Sequence, residues 1–168
     1  MGVEGYLASS QSYLSHRLLY YSDDRIIKPN LPVNRDLYSA IERLRKLKPD
    51  IIVITATKNR LDSLIAAHNV LVHQKGKINW GWVMVDNMST DGTGQYIERV
   101  KDDRIVMVTS SNKDGCAYPV RNFGLDIVSR AFWGNQGSEP WITVVDSDDR
   151  LHNPYSLYDL MKMTKSRY

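Results

Sequence analysis

From Asn34 onward the apolar residues fall into two alternating patterns. Leu37, Ile41 and Leu44 return at helical spacing until Pro49 ends the run, and Ile51-Ile52-Val53-Ile54 then forms a short β-branched block. A helix spaced like the first is amphipathic, whereas an unbroken apolar block bounded by polar residues predicts a strand buried on both faces. The alternation continues. Leu61, Leu64, Ile65, His68 and Leu71 are helical in spacing, Trp80 to Val85 predicts a strand, and Tyr96, Ile97 and Val100 predict a short amphipathic helix. Ile105 to Val108 predicts a third strand, residues 116–131 a helix with Pro119 in its first turn, and Ile142 to Val145 a fourth strand. Strand and helix in turn predict an α/β domain over residues 34–168 with a mostly parallel sheet flanked by helices. Residues 1–33 carry little pattern and predict an irregular or partly helical lead-in that leans on that domain.

Ligands of such sheets bind beyond the carboxyl ends of the strands. The polar clusters fall at those ends: Thr55 to Arg60, Asp86 to Thr93, and Asp146 to Asp149.

Composition narrows the field. The 168 residues are 42% apolar and 24% charged, as in an ordinary globular protein able to bury a core. A net charge of +3 suits a small anion such as a nucleotide diphosphate, but no dense basic stripe with interleaved aromatics predicts nucleic acid. Arg43, Arg45, Lys46 and Lys48 read as the solvated face of a helix. The single cysteine, Cys116, cannot close an internal disulfide and has no recognisable nucleophile context. The N-terminus lacks the apolar run of a signal peptide, and Tyr6 stands where a myristoylation site wants Ser or Thr. No run is long enough to span a bilayer, so the default expectation is a cytoplasmic protein.

Asp146-Ser147-Asp148-Asp149 is the strongest local signal. Carboxylates crowded at a strand end repel one another, and a hard cation such as Mn²⁺ or Mg²⁺ would relieve that while bridging to phosphate oxygens. A hydrophilic turn is the alternative, with His152 a surface residue. In Asp86 to Thr93, Ser89 or Thr90 is placed to cap the next helix with Asp91 at its positive end, leaving Asp86 and Asn87 for a base or ribose. Thr55 to Arg60 offers backbone amides, hydroxyls and either Lys58 or Arg60 to a nucleotide, yet it lacks the glycines of a dinucleotide or P-loop fingerprint. On the helix after Gly115, Arg121 is either a site residue or a surface charge, and Gly124 lets helix and sheet approach.

Taken together and in this order, Ala56-Thr57-Lys58-Asn59-Arg60, Val85 to Thr93, Gly115 followed by Arg121-Asn122-Phe123-Gly124-Leu125, and Asp146 to Asp149 resemble the motifs of the family-2 glycosyltransferases. The resemblance covers about residues 50–153. It implies a GT-A (Rossmann-like) fold, truncated after its DxD motif, and binding of a nucleoside diphosphate sugar. Thr55, Ala56, Thr57, Asn59, Arg60, Asp86, Asn87, Ser89, Arg121, Ser147 and Asp149 would form the nucleotide-sugar site. Asp146 and Asp148 would form the metal motif for Mn²⁺ or Mg²⁺, Asp148 being the more direct ligand. Ala56 replaces the family's usual proline. Asn87 replaces its commoner second aspartate, so the family's base preference does not carry over. Residues from Phe132 to Pro140 read as an extra loop.

The implied reaction is inverting transfer of a sugar to an acceptor hydroxyl on a glycan, lipid or protein. Only 19 residues follow Asp149, so the catalytic base and acceptor half are expected beyond residue 168. Apolar surface left by that missing half would favour self-association. A non-catalytic nucleotide-sugar-binding fragment would carry the same motifs; an α/β interaction domain with merely acidic turns would show no metal-dependent nucleotide binding.

Overall fold

The computed structural model describes residues 8–9, 35–112, 116–132 and 139–165. Among the described residues five strands form one sheet: β1 (Ala8–Ser9), β2 (Ile51–Thr57), β3 (Trp80–Asp86), β4 (Ile105–Thr109) and β5 (Trp141–Val144). Five helices accompany them: α1 (Arg35–Leu47), α2 (Leu61–Val72), α3 (Thr93–Arg99), α4 (Ala117–Phe132) and α5 (Ser156–Lys165). The strand order is β1-β5-β2-β3-β4. β2 through β5 are parallel, and β1 adds to β5 antiparallel, with Ala8 opposite Ile142. Ala8 and Ser9 of the lead-in thus form an edge strand, and the rest of residues 1–33 lies outside the described residues.

Every residue of β2 and β3 is buried, as a strand covered on both faces requires. Strand alternation then sorts the core into two layers. Ile52, Ile54, Val83, Val85, Val106 and Val108 pack under α1 and α4, while Ile51, Val53, Trp80, Trp82 and Met84 pack under α2, α3 and α5. Gly124 makes the first layer thin. A Cβ built there would lie 2.7 Å from Ile54 Cγ2 and 3.1 Å from Val85 Cγ2, so only glycine lets α4 sit this close to β2 and β3.

Two helix ends are finished by side chains distant in sequence. Lys48 turns α1 out with φ 45°, and Asn79 Nδ2 donates to the carbonyls of Leu47 and Lys48 at 2.6 and 3.0 Å. Arg45 belongs to the predicted solvated face, yet its guanidinium donates to the carbonyls of Arg130 and Ala131, both at 3.0 Å. It caps the C-terminus of α4. The expected extra loop falls largely on residues 133–138, and Gly115 on residues 113–115, all outside the described residues. Among the described residues no helix is long and apolar enough to cross a membrane.

The chain runs from β2 outward to β3 and β4, then returns past β2 to lay down β5 on its other side. That reversal opens a crevice between the carboxyl ends of β2 and β5. Backbone bonds carry the ladders to the crevice lip: Asn87 N–H donates to Thr57 O (2.9 Å), Ser110 N–H to Asp86 O (2.8 Å) and Val145 N–H to Ile54 O (3.0 Å).

Candidate functional site

A cleft of about 490 Å³ lies at that crevice. Three segments line it: Ala56 to Arg60 after β2, Cys116 to Arg121 at the start of α4, and Asp146 to Asp148 after β5, with Asn87 at its floor after β3. Of the residues expected from sequence, the fold brings together Ala56, Thr57, Asn59, Arg60, Asn87, Arg121, Asp146, Ser147 and Asp148. Lys58 joins them, as one of the two cations offered for phosphate.

Thr55, Asp86, Ser89 and Asp149 do not line the cleft, for reasons visible in their bonds. Thr55 points into the sheet's other layer, where its hydroxyl accepts from Trp82 Nε1 (2.9 Å) and donates to Val145 O (2.8 Å). Asp86 is buried and folds its carboxylate back onto Ser89, accepting from the Ser89 hydroxyl and backbone N–H. Asp149 is exposed, its N–H closing a turn onto Asp146 O at 3.0 Å.

The Asp86–Thr93 loop also differs from the capping expected of it. Gly92, at φ 94°, precedes α3 without any side-chain cap, so neither Ser89 nor Thr90 serves there. These residues instead lace this loop to the one after β2. Asn59 N–H donates to Ser89 Oγ (2.8 Å), Thr90 N–H to Asn59 Oδ1 (2.7 Å) and Leu61 N–H to Asp91 Oδ2 (2.9 Å). Asn59 holds φ 51°, a left-handed conformation that asparagine tolerates better than most residues. Asp91 also accepts from the Thr93 hydroxyl at 2.6 Å, and that bond leads the causes holding its carboxyl below the ordinary value. The lacing fixes the loop that carries Thr57, Lys58 and Arg60.

Charge in the cleft is mixed. Lys58, Arg60 and Arg121 face Asp146 and Asp148. Arg121 Nη2 donates to both carboxylate oxygens of Asp146. Part of the repulsion foreseen among the acidic residues is therefore relieved by an arginine from α4, a partner 25 positions away that periodicity could not reveal. Asp148 is exposed at the rim. Among the described residues no three His, Cys, Asp or Glu side chains converge as a self-sufficient metal cage. Mg²⁺ and Mn²⁺ sites that rely on one or two carboxylates plus ligand phosphates need no such cage, and the Asp146–Asp148 pair fits that donor set.

Two polar side-chain atoms in this cleft are buried without a hydrogen-bond partner: Thr57 Oγ1 and Arg121 Nε. Thr57 is itself only 3% exposed. Leaving such a group unpaired costs on the order of 1–3 kcal/mol, more where it is charged. Both belong to residues that line this one cleft. Sequence reading missed Cys116, just before α4, and Ala117 and Val120 in its first turn, which line the wall; the N-terminal amides of α4 favour an anion there.

The glycosyl transferase family 2 model matches residues 52–167. No curated protein sequence matches the chain. Among solved structures, S. aureus TarS 1-349 in complex with UDP is similar at 25% identity and a TM-score of 0.56, over 70% of this chain and 32% of that one. The same protein in complex with UDP-GlcNAc gives the same identity and score. The mannosyltransferase PcManGT from Pyrobaculum calidifontis, in complex with GDP-Man and Mn²⁺, is similar at 17% identity and a TM-score of 0.51, over 93% of this chain and 41% of that one. The chain thus spans about a third of TarS 1-349, and its parallel sheet with helices on both faces is that of GT-A glycosyltransferases. With the family model matching more than half of its residues, the chain belongs to glycosyl transferase family 2.

Proposed function

We propose that the cleft binds the nucleoside diphosphate of a sugar donor, and that the chain carries the donor-binding part of an inverting, metal-assisted glycosyltransferase. The observation that carries this reading is the pair of buried, unpartnered donors, Thr57 Oγ1 and Arg121 Nε, on one cleft at the reversal of strand order. A diphosphate offers the acceptor oxygens both lack, and Lys58 and Arg60 supply charge opposite to it. The TarS likeness to a UDP-bound and UDP-GlcNAc-bound protein supports a uridine nucleotide as the first to test.

In this reading Asp148, with Asp146, would hold Mn²⁺ or Mg²⁺, which when bound supplies Lewis-acid stabilisation of charge on the departing diphosphate. Arg121 and Thr57 orient the diphosphate, and the laced loops after β2 and β3 keep their side chains in place before the donor arrives. The acceptor hydroxyl attacks the anomeric carbon in one displacement as the bond to the diphosphate breaks, and a general base not assigned to any described residue takes the hydroxyl proton. The same cleft would serve a protein that only binds the donor, and slow donor hydrolysis separates the two.

Calorimetric titration with UDP, GDP and dTDP, with and without Mn²⁺, on the wild type and Asp148→Ala tests the proposal. Binding of one nucleotide that strengthens with Mn²⁺ and weakens in the variant is expected. No binding of any nucleotide to folded protein would overturn it.

A further inference from the structure

Asn87 stands at the cleft floor, 3% exposed, where the family resemblance leads one to expect an aspartate that meets the ligand. Its side chain is already committed. Oδ1 accepts from the backbone N–H of Asn112 at 2.9 Å, and Nδ2 donates to the backbone carbonyl of the same residue at 3.0 Å. The amide therefore meets both polar groups of one residue's backbone, a match that fixes which way it points. The chain of bonds continues. Asn112 Nδ2 donates to the carbonyl of Cys116 at 3.0 Å, immediately before α4 begins. Cys116 and Ala117 form the cleft wall, and Arg121 follows one turn later on the same helix.

We propose that Asn87 is a positioning residue: its amide clamps Asn112 and, through it, sets the start of α4 and the wall that carries Arg121. This rests on the donor-cleft reading for its functional consequence, but the clamp itself does not. A carboxylate at this position could still accept from the Asn112 N–H. It would also set an anionic oxygen against the part-buried Asn112 carbonyl in place of the Nδ2 donor, exchanging an attraction for a repulsion. The aspartate commoner in the family is thus the wrong residue for this chain.

The test compares wild type with Asn87→Asp and Asn112→Ala, each checked for folding by circular dichroism. Two readouts are taken: nucleotide affinity by calorimetry with Mn²⁺, and the rate at which a dipyridyl disulfide modifies Cys116 without nucleotide. Cys116 is exposed and is the sole cysteine, so it reports on the start of α4 alone. We expect Asn87→Asp to weaken nucleotide binding about tenfold or more, the effect of a lost buried hydrogen-bond partner, and to raise the Cys116 rate severalfold. Both should return toward wild type as the pH is lowered to about 4.5, because a neutral carboxyl regains a donor for the Asn112 carbonyl and burial raises its titration above the ordinary value of about 3.9. Asp146, Asp148 and the cations Lys58, Arg60 and Arg121 border the cleft, and Asp86 adjoins position 87, in both proteins, so the variant-to-wild-type ratio isolates position 87. Asn112→Ala, which removes the side-chain bond to the Cys116 carbonyl, should raise the rate even if Asn87→Asp fails to fold.

An Asn87→Asp protein that binds as tightly as wild type, or binds more weakly with an unchanged Cys116 rate, would overturn the clamp and leave Asn87 as a direct ligand contact. A changed Cys116 rate in a wild-type background that binds no nucleotide would keep the clamp and overturn the donor-cleft reading instead.

Discussion

Arg121, on the second turn of α4, holds both carboxylate oxygens of Asp146, the first residue of the acidic motif after β5. The two lie 25 positions apart in sequence and join opposite walls of the cleft. This pairing leaves the guanidinium with its Nε buried and unpartnered, which makes Arg121 both a brace for Asp146 and a donor in waiting. Arg121→Ala should weaken nucleotide binding by about tenfold to a hundredfold, the scale of a charge-assisted hydrogen bond. Arg121→Lys keeps the charge but lacks the fork, and should recover only a minor part of the loss in the same calorimetric titration.

Gly124→Ala tests how closely α4 must sit on the sheet. The added methyl would fall 2.7 Å from Ile54 Cγ2, and both neighbouring side chains belong to buried strands. Overpacking of this kind costs about 1–3 kcal/mol, more than the helix preference of alanine returns. Urea unfolding should show a lower midpoint with an unchanged slope.

The lacing of the two loops depends on Asn59 in two ways, its φ of 51° and its Oδ1 acceptor. Asn59→Ala loses both, and should cost about 1–2 kcal/mol. Asn59→Gly keeps the backbone conformation and should cost about half as much. Both should lower nucleotide affinity, since Thr57, Lys58 and Arg60 share that loop; equal unfolding midpoints for the two variants would argue against a backbone contribution.

His68 gives the fold a dependence on pH near neutrality. Burial is the leading cause that pushes its imidazole below the ordinary value of 6.5, outweighing the raising effect of Asp102. The unfolded chain therefore binds the proton more readily, and stability is present above about pH 6.5 and is lost as pH falls toward the folded value. Wild-type Tm should drop between about pH 7.5 and 5.5. His68→Asn, which can still meet the Tyr96 hydroxyl that lies 2.7 Å from Nδ1, should flatten that dependence.

The order of elements was readable because the core obeys local rules. Unbroken blocks such as Ile51 to Ile54 are strands buried on both faces, and the clusters at their ends fall on one side of the sheet. What side chains do across the fold was not readable in the same way. Ser89 and Thr90 look like helix caps and bind Asn59; Arg45 looks solvated and caps α4. Asp86 turns to Ser89 and Thr55 to Trp82, although both sit beside cleft residues in sequence. Periodicity reports which face a residue takes, not which hydrogen-bond partner reaches it from a segment dozens of positions away. Asn87 belongs to the same class, since only the path of Asn112 decides what its amide meets.

The reversal of strand order also dictates when the cleft can exist. β2 meets β3 and β3 meets β4 through short stretches of chain, but Thr55 on β2 and Val145 just after β5 are 90 positions apart. Contacts that far apart are entropically the last to reward the chain for forming them. During folding, β2, β3 and β4 can therefore assemble with one wall of the cleft exposed and no site at all. Only the arrival of β5 brings Asp146 to Arg121, so the two walls of the cleft face each other only once the sheet is complete.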